Sequence, residues 1–222
     1  LHRLTEHIGP ELAEMLSEPI PLLPILDHGL CNGDDLHGQV AAAQERIRTY
    51  FPDSSDPETS AYLASANQFC LNIIMAAASL MIGAGSGDTN SNMVVACGGN
   101  GQEIGYKLAS DPKTWITRPA APPVGPKFPG QEAASALQAI GDSAVIDALG
   151  FGAASLRKSP SLTDSYRGHI HPDYLTNAAH APFVGPHPAL SDSSLMLGLD
   201  LARPRTCLGI NLGMVEATGK NG

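Results

Sequence analysis

Met93-Val94-Val95-Ala96-Cys97-Gly98-Gly99-Asn100-Gly101-Gln102-Glu103-Ile104-Gly105 is the stretch on which the reading of this chain turns. An apolar run of strand character passes directly into a backbone rich in glycine. Such backbone adopts unusual dihedral angles or lets another group approach closely. Working outward, Asp111-Pro112-Lys113-Thr114-Trp115-Ile116-Thr117-Arg118-Pro119 follows and carries the single Trp of the chain. A proline-rich link leads to Phe128-Pro129-Gly130, and the stretch closes on Gly141-Asp142-Ser143-Ala144. Asn100, Glu103, Asp142 and Ser143 place hydrogen-bonding side chains within this backbone, which reads as a site.

The fragment Gly99-x-Gly101-x-x-x-Gly105 after a strand-like run invites a dinucleotide-loop reading. Three features speak against it. Ser110-Asp111-Pro112 breaks any long helix after the glycines, Glu103 puts negative charge where a pyrophosphate would sit, and no acidic residue closes a recognisable second strand.

Upstream the text is helical. A short helix is expected over residues 5–17, from Thr5-Glu6-His7 to Leu16, ended by Pro19 and Pro21. Asp34 is placed to cap a helix whose apolar positions Leu36, Val40, Ala43, Ile47 and Phe51 form one buried stripe. On that helix Asp34 and His37 share a face, either as a cap and a solvated imidazole or as active groups. A longer helix is expected from Pro57-Glu58 through Met81, apolar on nearly all sides around Asn67-Gln68-Phe69-Cys70-Leu71-Asn72 and therefore central. Buried there, Asn67 and Asn72 need partners, from the core or from a ligand.

Downstream, Arg118 to Gly130 reads as a stiff surface loop. Asp142 or Ser143 caps a helix expected over 144–156, whose free N–H groups also suit an anion. His169, His171, His180 and His187 lie in a segment without the pattern that would fix a zinc site. Thr206-Cys207-Leu208-Gly209-Ile210-Asn211-Leu212-Gly213-Met214-Val215 reads as a buried strand in which Asn211, flanked by glycines, marks a bulge or an approach to the site. Composition shifts near Ile82, so the expected fold is α+β: a helical domain over 1–82, then a mixed α/β domain with glycine-rich loops over 83–222.

The chain has 222 residues, enough for a real core, with 43% hydrophobic and 16% charged residues. A formal net charge of −9 argues against nucleic acid or an anionic membrane as the main partner. The longest apolar run, Ile73 to Ala84, falls short of the roughly 18–20 residues of a membrane span. Cys31, Cys70, Cys97 and Cys207 lie far apart and read as reduced, mostly buried thiols of a cytoplasmic protein. The chain starts without Met and ends on Gly219-Lys220-Asn221-Gly222, which reads as a piece of something longer.

Taken in order, these pieces resemble the YlbE-like (AllG-like) family, counted as a subunit of oxamate carbamoyltransferase. The resemblance rests on Asn32-Gly33-Asp34-Asp35-Leu36-His37, Ser65-Ala66-Asn67-Gln68-Phe69-Cys70-Leu71-Asn72 and Ser91-Asn92-Met93-Val94. It continues through Asn100-Gly101-Gln102-Glu103-Ile104-Gly105, Trp115-Ile116-Thr117-Arg118-Pro119-Ala120, Phe128-Pro129-Gly130, Gly141-Asp142-Ser143-Ala144 and Gly209-Ile210-Asn211-Leu212-Gly213. The resemblance implies phosphorolysis of oxalurate to oxamate and carbamoyl phosphate, or the reverse, in purine (allantoin) catabolism. It implies an oligomer with an FdrA-like or other partner subunit. No cofactor is expected, and no residue is singled out as a metal ligand. The expected catalytic residues are His37, Glu103 and Asp142. Substrate and phosphate contacts are expected from Asp34, Asn67, Asn72, Asn100, Gly101, Thr117, Ser143 and Asn211, in a cleft at Asn67, Asn100 and Asp142. Two other classes compete: a hydrolase of a related amide, which would need no phosphate, and a non-catalytic structural subunit.

Overall fold

The computed structural model describes Glu6, residues 8–51, Ser54, residues 56–205 and residues 209–218. Thr5, His7, Thr206, Cys207, Leu208 and the closing Gly219 to Gly222 therefore lie outside the described residues. The fold is α+β: helices come first, followed by antiparallel sheets with short helices between them.

Helices α1 (Gly9–Met15), α2 (Leu22–Cys31) and α3 (Ala41–Arg48) open the chain. The expected stripe is buried, with Leu36, Val40, Ala43 and Ile47 all in the core. The helix that carries it, however, starts only at Ala41, because Leu36 takes a left-handed backbone (φ 66°) and ends any helix from Asp34. Asp34 still caps α3, from a distance: its carboxylate accepts the N–H groups of Ala42 (3.2 Å) and Ala43 (2.8 Å). These are donors that a helix start leaves open. Asp34→Ala is therefore expected to destabilise the fold by about 1–2 kcal/mol, the usual worth of a cap. A urea midpoint equal to that of the wild type would show that the cap contributes nothing.

The helix expected over 57–81 is two: α4 (Pro57–Ser65) and α5 (Phe69–Gly83), bent by 72°. Ala66 and Gln68 leave the helical region (ψ 75° and 22°), and the break lets Phe69 meet Phe51 and Tyr62 edge-on at 5.8 and 6.4 Å. Helix α5 buries a single stripe, Cys70, Ile74, Ala78 and Ile82, and leaves Leu80 76% exposed. Asn67 and Asn72 are accordingly exposed and not buried, so neither amide needs a core partner. Among the described residues no single helix is long and apolar enough to cross a membrane.

Strands β1 (Val94–Asn100), β2 (Glu103–Leu108), β3 (Asp111–Pro119) and β4 (Ile140–Gly141) form one antiparallel sheet in the order β3-β2-β1-β4. The glycine-rich stretch is thus a hairpin and not the start of a helix. Asn100 Oδ1 accepts the N–H groups of Gln102 (2.9 Å) and Glu103 (2.7 Å), while Gly101 supplies the positive φ of 83° that the turn requires. Pairing of Gly99 with Gly141 and of Asn100 with Ile140 leads the chain into α6 (Ala144–Leu149).

Helix α6 was expected to reach residue 156. It stops at Gly150, and a 3-10 segment, Gly152–Lys158, replaces its second half. Next come α7 (Pro160–Tyr166) and a two-stranded antiparallel sheet of β5 (Phe183–Pro186) and β6 (Met196–Leu199). Residues 209–215 form no regular strand, contrary to expectation; Asn211 gives its backbone N–H to a carboxylate instead of a ladder. One hydrophobic cluster joins Leu26 of α2, Ile47 of α3, Ile74 of α5, Val94 of β1, Ile146 of α6 and Leu197 of β6. The core therefore runs from the first helices to the last sheet.

Candidate active site

Against this core lies a cluster of buried polar groups. His37 and Asp147 are 6% and 4% exposed at their side chains, and His37 Nδ1 stands 2.7 Å from Asp147 Oδ2. Asp147 comes from the middle of α6, whose other members are all apolar and buried. Its second oxygen accepts the backbone N–H groups of Ala153 (2.8 Å) and Asn211 (3.1 Å). Asp35, fully buried, accepts the N–H groups of His37 (3.0 Å) and Gln39 (2.7 Å) on Oδ1. Its Oδ2 accepts from the Asn211 side chain at 3.0 Å, and Asn211 Oδ1 in turn accepts from the Tyr166 hydroxyl at 2.9 Å.

The loop that carries Asp35 and His37 is held by the other half of the fold. The Asp35 carbonyl accepts from Gly152 N and from Ser155 Oγ, both at 2.7 Å. His37 thus sits between two carboxylates, oriented through Nδ1. Its Nε2 has no hydrogen-bond partner among the described residues.

Burial works against the charged imidazole, but the Asp147 carboxylate, its hydrogen bond and Asp35 outweigh it, so the His37 pKa is raised. Burial likewise raises Asp35, against the pull of the Gln39 and His37 N–H groups. The Tyr166 phenol is raised by burial and by Asp35 and stays a donor. Tyr166 and Asn211 line a cavity of about 860 Å³ that also meets Gly38, next to His37.

The remaining expected residues lie apart from this cluster. Asn100, Gly101, Glu103 and Thr117 share the exposed β1–β3 sheet; the Thr117 hydroxyl donates to Glu103 Oε1 at 3.0 Å, and Gly101 N donates to Ala139 O at 3.2 Å. Asp142 is exposed, and Ser143 starts α6 without a side-chain cap bond. Asn67 sits at the α4–α5 break and Asn72 on the exposed side of α5. Among the described residues no hydrogen bond joins Asn67 to Asn100 or Asp142. His37 and Asn211 are the two that the fold brings together.

The histidines of the later segment cap short turns: His171 Nδ1 accepts from Asp173 N and His187 Nδ1 from Ala189 N. His180 is held down to about 4 by burial and by the Arg157 and Lys158 cations. Among the described residues no three His, Cys, Asp or Glu groups are placed to hold a metal ion. Of the cysteines described, Cys70 is buried, Cys97 half-buried and Cys31 exposed, and none forms a disulfide.

Asp35, Asp147 and Tyr166 escaped the reading of the sequence. Asp147 had a usable signal, as a lone carboxylate in Ala144-Val145-Ile146-Asp147-Ala148-Leu149, where every neighbour is apolar. Tyr166 had none.

The family match covers one half of this arrangement. The family described as oxamate carbamoyltransferase subunit AllG matches residues 1–143, which include Asp35 and His37 but stop short of Asp147, Tyr166 and Asn211. The oxamate carbamoyltransferase subunit AllG of Escherichia coli (strain K12) is 27% identical over 153 residues, 65% of this chain and 36% of that protein. The uncharacterized protein YahG of the same strain is 30% identical over 173 residues, 73% of this chain and 37% of that protein. The chain therefore spans just over a third of the length of these relatives. In fold it is similar to a conserved protein of unknown function from Enterococcus faecalis V583, with a TM-score of 0.75 at 22% identity, covering 89% of this chain and 52% of that one. By the family match over more than half of its length, the chain belongs to the oxamate carbamoyltransferase subunit AllG family.

Proposed function

We propose that this chain carries the proton-transfer group of a carbamoyltransferase-type enzyme that acts on oxalurate and oxamate, or on a related ureido compound, with phosphate as the second substrate. The observation that carries the reading is the buried Asp147–His37 pair, with Nε2 of His37 left for chemistry. The family and the name of the Escherichia coli relative support the reaction class.

In the phosphorolytic direction a phosphate oxygen attacks the terminal carbamoyl carbon of oxalurate, and the bond from that carbon to the inner nitrogen breaks. Carbamoyl phosphate forms, and the departing oxamate nitrogen takes a proton from the His37 imidazolium. In reverse, neutral His37 accepts the proton as the oxamate nitrogen attacks carbamoyl phosphate. A raised pKa suits the donor role, because it keeps the imidazole protonated closer to neutral pH. Asp35 and Asp147 make this corner unfavourable for a phosphate, so an FdrA-like or other partner subunit supplies the cations for it.

The test uses the chain purified with its partner and follows phosphate-dependent release of oxamate from oxalurate. His37→Gln is expected to lower turnover by about 100-fold or more, the range of a lost acid–base group, with oxalurate still raising the melting temperature. Turnover that needs no phosphate would assign a hydrolase instead. Full turnover in His37→Gln would remove His37 from the chemistry.

A further inference from the structure

The cavity beside the site is far larger than oxamate. At about 860 Å³ it lies within the range of roughly 300–1,000 Å³ that holds drug-sized ligands. The Tyr166 hydroxyl and the Asn211 amide form one polar wall, Lys127, His169, His171 and Glu216 also reach the lining, and Val124, Phe128, Leu162 and Met214 are among its apolar members. Val124 and Phe128 are 80% and 76% exposed, among the most exposed large apolar side chains of the described residues. Exposed apolar groups gathered on one cavity mark a binding surface.

The polar wall also has a charge preference. Asn211 donates its side-chain amide to Asp35 and its backbone N–H to Asp147, so two carboxylates stand directly behind it. An anionic head would face both of them. A neutral head with N–H donors and a carbonyl meets no such repulsion: beyond their own bonds, the Tyr166 oxygen and Asn211 Oδ1 each keep a lone pair for its N–H groups, and Asn211 Nδ2 keeps a second hydrogen for its carbonyl.

We infer that this cavity binds a neutral amide or ureido group at Tyr166 and Asn211, with an apolar substituent lying against Val124, Phe128, Leu162 and Met214. This names the substituent side of the substrate and rests on the carbamoyltransferase reading only for the ureido head. If the substrate also carries a carboxylate, that group points away from Asn211.

Calorimetric titration of the purified chain with methylurea, butylurea and hexylurea tests the inference, with hexanoate as the anionic control. Affinity is expected to rise by about threefold to fourfold for each added methylene, and hexanoate is expected to bind at least about tenfold more weakly than hexylurea. Phe128→Ser and Val124→Ser change exposed side chains, so the fold tolerates them, and they should flatten the dependence on chain length. Affinity independent of chain length, or a length dependence untouched by both variants, would overturn the apolar part. Hexanoate binding as tightly as hexylurea would overturn the neutral head. Length-dependent binding without any phosphate-dependent turnover would sink the transferase reading and leave the cavity assignment standing.

Discussion

Asp147→Ala is expected to destabilise the fold by about 3–5 kcal/mol, the cost of removing one partner from a buried ion pair. The side chain has three obligations and is 4% exposed. Its loss leaves His37 without the group that favours the charged imidazole, and it strips an acceptor from the N–H groups of Ala153 and Asn211. Asp147→Asn separates charge from shape. An asparagine oxygen can still accept from Ala153 and Asn211, while its NH₂ turns towards Nδ1 and forces the imidazole proton onto Nε2. That variant should fold better than the alanine variant and still lose proton transfer. The pH dependence follows from the sign of the shift. The folded pKa of His37 lies above its unfolded value of about 6.5. The pair therefore contributes its full stabilisation below about pH 6.5 and loses it as the pH rises through the folded value. Urea unfolding on both sides of that window should show a loss in the wild type that Asp147→Asn lacks. An identical pH dependence in the two proteins would mean that the pair does not set the titration.

The parts of this fold that were legible in the sequence are those set by local pattern. The stripe at Leu36, Val40, Ala43 and Ile47, the strand from Val94 and the break before Asp111-Pro112 all follow from spacing and turn chemistry over a few residues. Asp34 shows the limit of that reasoning. It was read as the cap of the helix beginning beside it, and it does cap α3, but across eight residues, because the left-handed Leu36 folds the loop back. The bend at Asn67 brings Phe69 onto Phe51, 18 positions upstream, and a helical pattern on either side gives no sign of it. The site was harder still. His37 and Asn211 could each be singled out by residue type, yet what joins them is Asp147, 110 positions from His37 and 64 from Asn211. No local pattern encodes such a meeting. The exposed groups of the hairpin looked more like a site because glycine and polar residues alternate there, but the turn accounts for them: Asn100 spends its carboxamide oxygen on the backbone of Gln102 and Glu103.

The end of α6 is where stability and the site are joined most tightly, and Gly150→Ala is the substitution that tests the joint. Gly150 adopts φ 126°, a region that residues with a Cβ rarely enter. A Cβ built there would stand 2.4 Å from the carbonyl oxygen of Met196 and 3.2 Å from Leu197 Cδ2, both on β6. The first of these is backbone within a sheet and has no rotamer through which to move. Backbone strain of about 1–3 kcal/mol and overpacking of about 1–3 kcal/mol act together, so a loss of about 2–6 kcal/mol is expected. Gly87→Ala is the control: its φ is also positive, at 96°, but nothing lies within 4 Å of the added atom, so only the backbone strain of about 1–2 kcal/mol remains. Equal urea midpoints for the two variants would show that the approach of α6 to β6 does not limit the fold. The consequence reaches further than stability. Gly150 gives its N–H to the carbonyls of Ile146 and Asp147, so relief of the clash has to displace the last turn of α6 and, with it, the carboxylate that holds His37. In that variant the raised pKa of His37, followed by the imidazole proton resonances, should fall back towards about 6.5 even where the protein stays folded. An unchanged His37 titration in a folded Gly150→Ala protein would uncouple the helix end from the site.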